Sequence, residues 1–217
     1  MLLAGPVLFL LAIVIVSVAM GVAGVPAEEI GARVAAQGSA LLVGVLAALG
    51  VLALWLLPVR QFWAARGRVG DWALGAVVGA VIAVAYLTIL GPGMVWLQVN
   101  LGDFVPPGAV AETVAGSLVL FLVANVMLAP VVEETVYRGI LLNRLRGRYG
   151  PVGGAVLSCI AFGLLHWTGG VWYMALTGVV AGGAFAGLAL WRGGLAAPFA
   201  AHLTLNVIEF GAAVGAG

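Results

Sequence analysis

Long apolar runs, separated by short clusters of charge, glycine and proline, dominate the chain. Seven of them, near residues 2–25, 38–58, 71–91, 112–145, 151–167, 171–191 and 194–215, are long enough to cross about 30 Å of hydrocarbon as helices. Pro26, Glu28, Glu29 and Arg33 end the first run. Arg60, Arg66, Gly67 and Arg68 end the second. Gly91-Pro92-Gly93, then Asp103 and Pro106-Pro107, end the third, by the usual punctuation of turns. Residues 94–102, between those last two breaks, are apolar but too short to span, and read as a re-entrant or interfacial piece. The pattern predicts an all-α polytopic transmembrane helix bundle of seven spans, with eight as the open alternative. No tandem repeat or low-complexity linker divides it, so residues 1–217 read as one membrane domain. The first run lacks a basic start and exceeds the roughly 7–15 apolar residues of a signal peptide, so it reads as a span.

Composition agrees. The chain is 64% hydrophobic and 8% charged, against roughly 25% charged residues in a soluble domain. A net charge of +1 leaves no basic footprint for nucleic acid. Cys159 is the lone cysteine, which excludes an intrachain disulfide and argues against a cysteine-based metal site. Arginine placement orients the bundle. With the N-terminus in the cytoplasm, Arg60, Arg66, Arg68, Arg144, Arg146, Arg148 and Arg192 all fall inside, and only Arg33 falls in an outer loop, as the positive-inside rule requires. The lysine-free, Gly/Ala/Val-rich composition points to a prokaryotic cytoplasmic membrane. Glycines four apart, Gly75/Gly79, Gly178/Gly182 and Gly183/Gly187, predict close helix packing in lipid.

The candidate chemistry lies inside the spans. Glu133, Glu134, Arg138, His166, His202 and Asn206 sit in otherwise apolar helices, where an ionised group costs about 2.5–3.5 kcal/mol or more. Glu134 and Arg138 are one helical turn apart and can neutralise each other. Glu133 points about 100° away and has no such partner, which makes it the candidate for chemistry. Pro130 removes a helix bond one turn earlier; Pro198 stands one turn before His202 in the same way. Phe162 and His166 share a helix face, as do His202 and Asn206, with Glu209 further along the same stripe. Counted from the arginine-marked ends, Glu133, His166 and His202 can reach one level, roughly 15–22 Å deep. A free carboxylate, two imidazoles and an amide suit activation of water against a carbonyl, with the acid as base and the imidazole and amide as oxyanion donors. A divalent metal such as zinc, on Glu133, His166 and His202, is the other option, although no H-E-x-x-H motif is present. No organic cofactor is expected.

The ordered motifs Glu-Glu-x-x-x-Arg-Gly, Phe-x-x-x-His and His-x-x-x-Asn, on three hydrophobic helices, resemble the type II CAAX prenyl protease and bacteriocin-processing family. The resemblance covers about residues 112–210. It implies a membrane-embedded endopeptidase, usually called a metalloprotease, although a metal-free glutamate mechanism is also argued for the family. By motif match, Glu133 would activate water with His166 assisting. His202 and Asn206 would bind the oxyanion, and Glu134 with Arg138 would support the site. The implied partners are the lipid bilayer and a peptide or membrane-anchored protein substrate. Two rival readings stand beside it. One is a proton-coupled transporter, since intramembrane Glu and His also build relays; the other is a non-catalytic immunity or scaffolding protein.

Overall fold

The computed structural model of the protein describes residues 3–56, 67–106 and 118–215. Among these every regular element is helical. That follows from the apolar runs, because in hydrocarbon a helix satisfies its own backbone groups within one segment. In chain order the elements are α1 (Ala4–Val22), α2 (Ala27–Ala36), α3 (Gly38–Leu56), α4 (Val69–Leu101), α5 (Leu118–Leu165), α6 (Val171–Arg192) and α7 (Ala196–Gly215). Helix α2 is short and amphipathic, with an exposed Glu29–Arg33 pair at 2.7 Å. The other six are long and apolar enough to cross a membrane.

Polarity is inverted relative to a water-soluble protein. Ile15, Trp55, Val77, Val119, Val179 and Trp191 point outward, whereas Glu133, Glu134, Arg138 and His202 are buried. Lipid is the only solvent that this exterior suits. The protein is an integral membrane helix bundle.

Two sequence expectations change. The expected fourth and fifth spans lie within one helical stretch, α5, so six such stretches are found where seven were expected. Within α5, Gly150 leaves helical geometry (φ 73°, ψ 173°) just before Pro151. Ser158 bonds to the Tyr137 carbonyl at 2.9 Å, and Gly154 lies against the Arg146 backbone. The two arms, residues 118–149 and 151–165, therefore run antiparallel about Gly150. The second change concerns Gly91-Pro92-Gly93, which does not break the chain. Helix α4 continues through it to Leu101, by way of a π-helical turn at Tyr86–Leu90. The wider turn supplies the slack that a proline needs against the preceding carbonyls. Residues 94–102 therefore extend a span and are not a separate re-entrant piece. The start of the expected fourth run at 112–117, together with Arg60, Arg66 and Pro107, lies outside the described residues.

Helix α4 packs along α7, and glycine makes this possible. A Cβ built on Gly75 would meet the Ala197 carbonyl oxygen at 2.2 Å, and one on Gly79 would meet that of Ala201 at 2.1 Å. The two helices run parallel, so α4 fixes the height of His202. Gly178 and Gly182 similarly receive the second arm of α5 at Cys159, Phe162 and Gly163. Gly183 and Gly187 face open space, contrary to the packing expected of all three pairs. Gly79→Ala is expected to destabilise the protein by about 1–3 kcal/mol, the usual cost of forced overpacking, measured as a fall in thermal midpoint in detergent. Gly183→Ala serves as the control and should leave the midpoint within a degree or two.

Candidate active site

Five of the six polar residues singled out above belong to one network across α5, α6 and α7, and Asn206 joins its edge. Glu134 is fully buried and pairs with Arg138 at 3.2 Å, as the one-turn spacing predicts. Arg138 is also buried. It donates to the Gly182 carbonyl at 3.2 Å, and its guanidinium lies 4.1 Å from the Phe162 ring centre and 5.3 Å from that of Phe185. Two aromatic faces, one carbonyl and one carboxylate thus compensate a charge that lipid would reject.

The same Glu134 oxygen, Oε1, receives Nδ1 of His202 at 3.0 Å. An ionised carboxylate only accepts, so Nδ1 carries the proton. That turns Nε2 toward Glu133, whose Oε2 lies 4.0 Å away. The His202 ring is clamped by Phe185, stacked at 5.0 Å, and by the edge of Phe162 at 6.0 Å. Glu134 therefore has two tasks, neutralising Arg138 and orienting His202. Only the first was legible from spacing.

Glu133 is 3% exposed and its Oε2 has no hydrogen-bond partner. This is the unneutralised acid that the sequence pointed to. His166 follows the C-terminal end of α5. Its Nδ1 lies 2.9 Å from the Phe162 carbonyl, which can only accept, so Nδ1 again carries the proton and Nε2 keeps its lone pair. Phe162 also packs against this ring at 4.8 Å. It thus touches both histidines and the arginine.

Asn206 does not point freely at the pair. Its Nδ2 donates to the Asn125 carbonyl in the first arm of α5. The cause is local. Residues Leu122–Leu128 form a π-helical turn, in whose register the N–H of residue 130 would serve carbonyl 125. Proline has no N–H, so Asn206 fills the gap and ties α7 to the helix that carries Glu133.

Among the described residues no group of three or more His, Cys, Asp or Glu side chains is gathered closely enough to hold a metal ion. The trio considered for zinc, Glu133, His166 and His202, thus does not form a ready ligand set in this geometry.

The loop that carries His166 is fastened from α4. Asp103 accepts the Val171 N–H at 2.9 Å and the Phe104 N–H at 2.7 Å. Gln98 bridges Asp103 and the Gly169 carbonyl, each at 3.4 Å. Trp172 donates from Nε1 to the Gly102 carbonyl at 2.9 Å. Burial alone would raise the Asp103 carboxyl, but the N–H groups of Val171, Phe104 and Trp172 and the Gln98 amide outweigh it and hold the group below its ordinary range. A depressed native value means the stabilisation is complete above the ordinary aspartate value and fades as pH falls through the native one. Amide exchange at Val171 and Trp172, corrected for intrinsic rates, is therefore expected to accelerate below about pH 4. In Asp103→Asn it should be fast already at neutral pH.

Residues 115–208 match the family model described as Rce1-like, Type II CAAX prenyl endopeptidase Rce1-like. The matched segment is similar to that family. It spans both arms of α5, all of α6 and most of α7, so every residue of the network falls inside the Rce1-like part of the chain. Helices α1 to α4 lie outside it, yet α4 sets the height of α7 and fastens the His166 loop. No curated protein and no solved structure matches the chain.

Proposed function

We propose that the protein is an intramembrane endopeptidase that hydrolyses a peptide bond with water activated by Glu133. The observation that carries this reading is the asymmetry of the two adjacent acids. One oxygen of Glu134 is held by both Arg138 and His202, while Glu133 makes no such pair: it is buried, its Oε2 lacks a hydrogen bond, and that atom faces Nε2 of His202 at 4.0 Å. The match to Rce1-like endopeptidases over the same helices supports it.

In this mechanism the Glu133 carboxylate takes a proton from water, and the hydroxide attacks the scissile carbonyl carbon. His166 steadies the water through its Nε2 lone pair. The carbonyl electrons move to oxygen, and the oxyanion forms beside His202, whose ring Glu134 holds in place by accepting its Nδ1–H. The second N–H of Asn206 adds a donor. Collapse of the intermediate breaks the C–N bond, and Glu133 passes its proton to the leaving nitrogen. An acid and an amine result, and the site returns to its starting state. Donors preorganised in a dry site are worth far more than in water.

The proposed topology counts the arms of α5 as two crossings, giving seven, with the N-terminus in the cytoplasm of a prokaryote. The arginine distribution supports the orientation. The substrate is a peptide or membrane-anchored protein. The test uses purified protein in vesicles with quenched fluorescent peptides of three kinds: farnesylated at a C-terminal Cys-aliphatic-aliphatic-X motif, the same peptides unmodified, and hydrophobic helical peptides. Cleavage of at least one kind at a single internal bond is expected, and it should survive chelation. Cleavage of none overturns the reading. Loss on chelation with recovery on adding zinc would return Glu133, His166 and His202 to a ligand role.

A further inference from the structure

A polar cleft of about 340 Å³ opens at the arginine-rich end of the bundle. That volume falls in the range of small-ligand sites, roughly 300–1,000 Å³. Arg68 and Asp71 line it from the start of α4, Arg192 from the end of α6, and Ala196 and Ala197 from the first turn of α7. Gly193, at φ 69°, turns the chain between those last two helices. The cleft shares no lining residue with the Glu133 network. It lies above that network on α7, because Ala197 precedes His202 by five residues, about 7–8 Å at helical rise.

Charge in the cleft is unbalanced. Arg192 donates from Nε to Oδ1 of Asp71, and the Arg68 backbone N–H donates to Oδ2 at 2.8 Å. Two guanidinium groups thus stand beside one carboxylate, and one positive charge is left over among the lining residues. A guanidinium carries five N–H donors in a fork that matches phosphate, and the pair with Asp71 occupies one of those on Arg192. The Arg192 side chain keeps 30% of its surface exposed. The positive end of the α7 dipole adds to the same field.

Apolar side chains border the cleft and face outward. Trp191 lines it and is exposed. Val69, next to Arg68, is exposed as well, and so is Trp72, which stands edge-on to Phe199 at 5.8 Å. Outward tryptophans at the ends of spans mark the level of the lipid headgroups. Val77, Val81 and Val84 continue the exposed side of α4 toward the middle of the bilayer. A positive cleft beside an apolar wall suits an amphiphile, whose head and tail are both accommodated; a soluble anion would use only the first. We propose that this cleft binds the phosphate of an anionic phospholipid, whose acyl chains lie along the exposed side of α4. Basic pockets between spans hold such headgroups. The lipid covers the joint that the Asp71–Arg192 pair makes between α4 and α6, and it steadies the start of α7, the helix that carries His202.

The test is native mass spectrometry of the full-length protein in detergent, titrated with dioctanoyl phosphatidylglycerol, with a thermal melt of the same samples. One lipid should bind ahead of the rest and raise the midpoint. Arg68→Gln should weaken that first binding roughly fivefold or more, the worth of one arginine near an anionic headgroup, and leave the lipid-free midpoint unchanged. Arg68→Lys keeps the charge and should recover most of the binding. Arg148→Gln removes the same charge beside Gly150, outside the cleft, and should alter the first binding less than about twofold. Dioctanoyl phosphatidylcholine, which has no net charge, should bind more weakly than phosphatidylglycerol, and excess inorganic phosphate should not displace the latter. Equal weakening by Arg68→Gln and Arg148→Gln would mean diffuse surface charge and overturn the site. Displacement by inorganic phosphate would make the cleft a soluble-anion site. Displacement by a peptide with a free C-terminal carboxylate, and not by its amide, would make it part of substrate binding. Either result overturns the lipid assignment. No cleavage is read, so the outcome is independent of the endopeptidase reading.

Discussion

Glu133→Gln is expected to abolish peptide cleavage, by at least about 10²-fold, while the protein still inserts and melts normally. General-base catalysis contributes roughly 10²–10⁴-fold, and an amide cannot take the proton. Little structural damage should accompany the loss. The Glu133 Oε2 atom has no hydrogen-bond partner to forfeit, and glutamine has nearly the same volume. A buried acid without partners is destabilising in itself, so the variant's midpoint should stay level or rise. Activity and stability thus move apart, a combination that a packing role for Glu133 does not give. Initial rates on a vesicle-bound reporter peptide and a thermal melt of the same preparation check both halves.

Glu134→Gln should do the opposite to stability. It leaves the Arg138 guanidinium buried with the Gly182 carbonyl and two aromatic rings but no carboxylate. Removing one partner of a buried ion pair costs about 3–5 kcal/mol. At roughly 2–4 °C per kcal/mol for a chain of this size, the midpoint falls by about 10 °C. Activity also falls, by roughly 10–100-fold, because His202 loses a charged acceptor worth about 1.5–3 kcal/mol. Adding Arg138→Met removes the stranded charge and should recover most of the midpoint. It cannot restore the acceptor on Nδ1 of His202, so the double variant stays slow. Recovery of both together would mean that Glu134 serves only to neutralise Arg138.

Much of the site was legible in the sequence because local spacing governs it. Residues one turn apart share a helix face whatever the rest of the fold does, so the Glu134–Arg138 pair and the Phe162–His166 contact were readable directly. The cost of charge in lipid then separated Glu133 from the background. Tertiary contacts were not readable. Nothing in the linear order reveals that His202 leans on Glu134 across 68 residues, or that Asn206 replaces the donor that Pro130 lacks at carbonyl 125. The helix count and the continuity of α4 failed for a related reason. Gly-Pro signals mark a local disturbance, and a π-helical turn absorbed it in α4, whereas at Gly150 a left-handed φ reversed the chain within one helical stretch.

The most direct measurement of the central claim is isotope incorporation. A reporter peptide is incubated with the purified protein in vesicles made in ¹⁸O-enriched water, and the products are weighed by mass spectrometry. The account predicts one ¹⁸O in the new carboxylate from the parent and no cleavage from Glu133→Gln in the same membranes. Equal incorporation by the two proteins would contradict it.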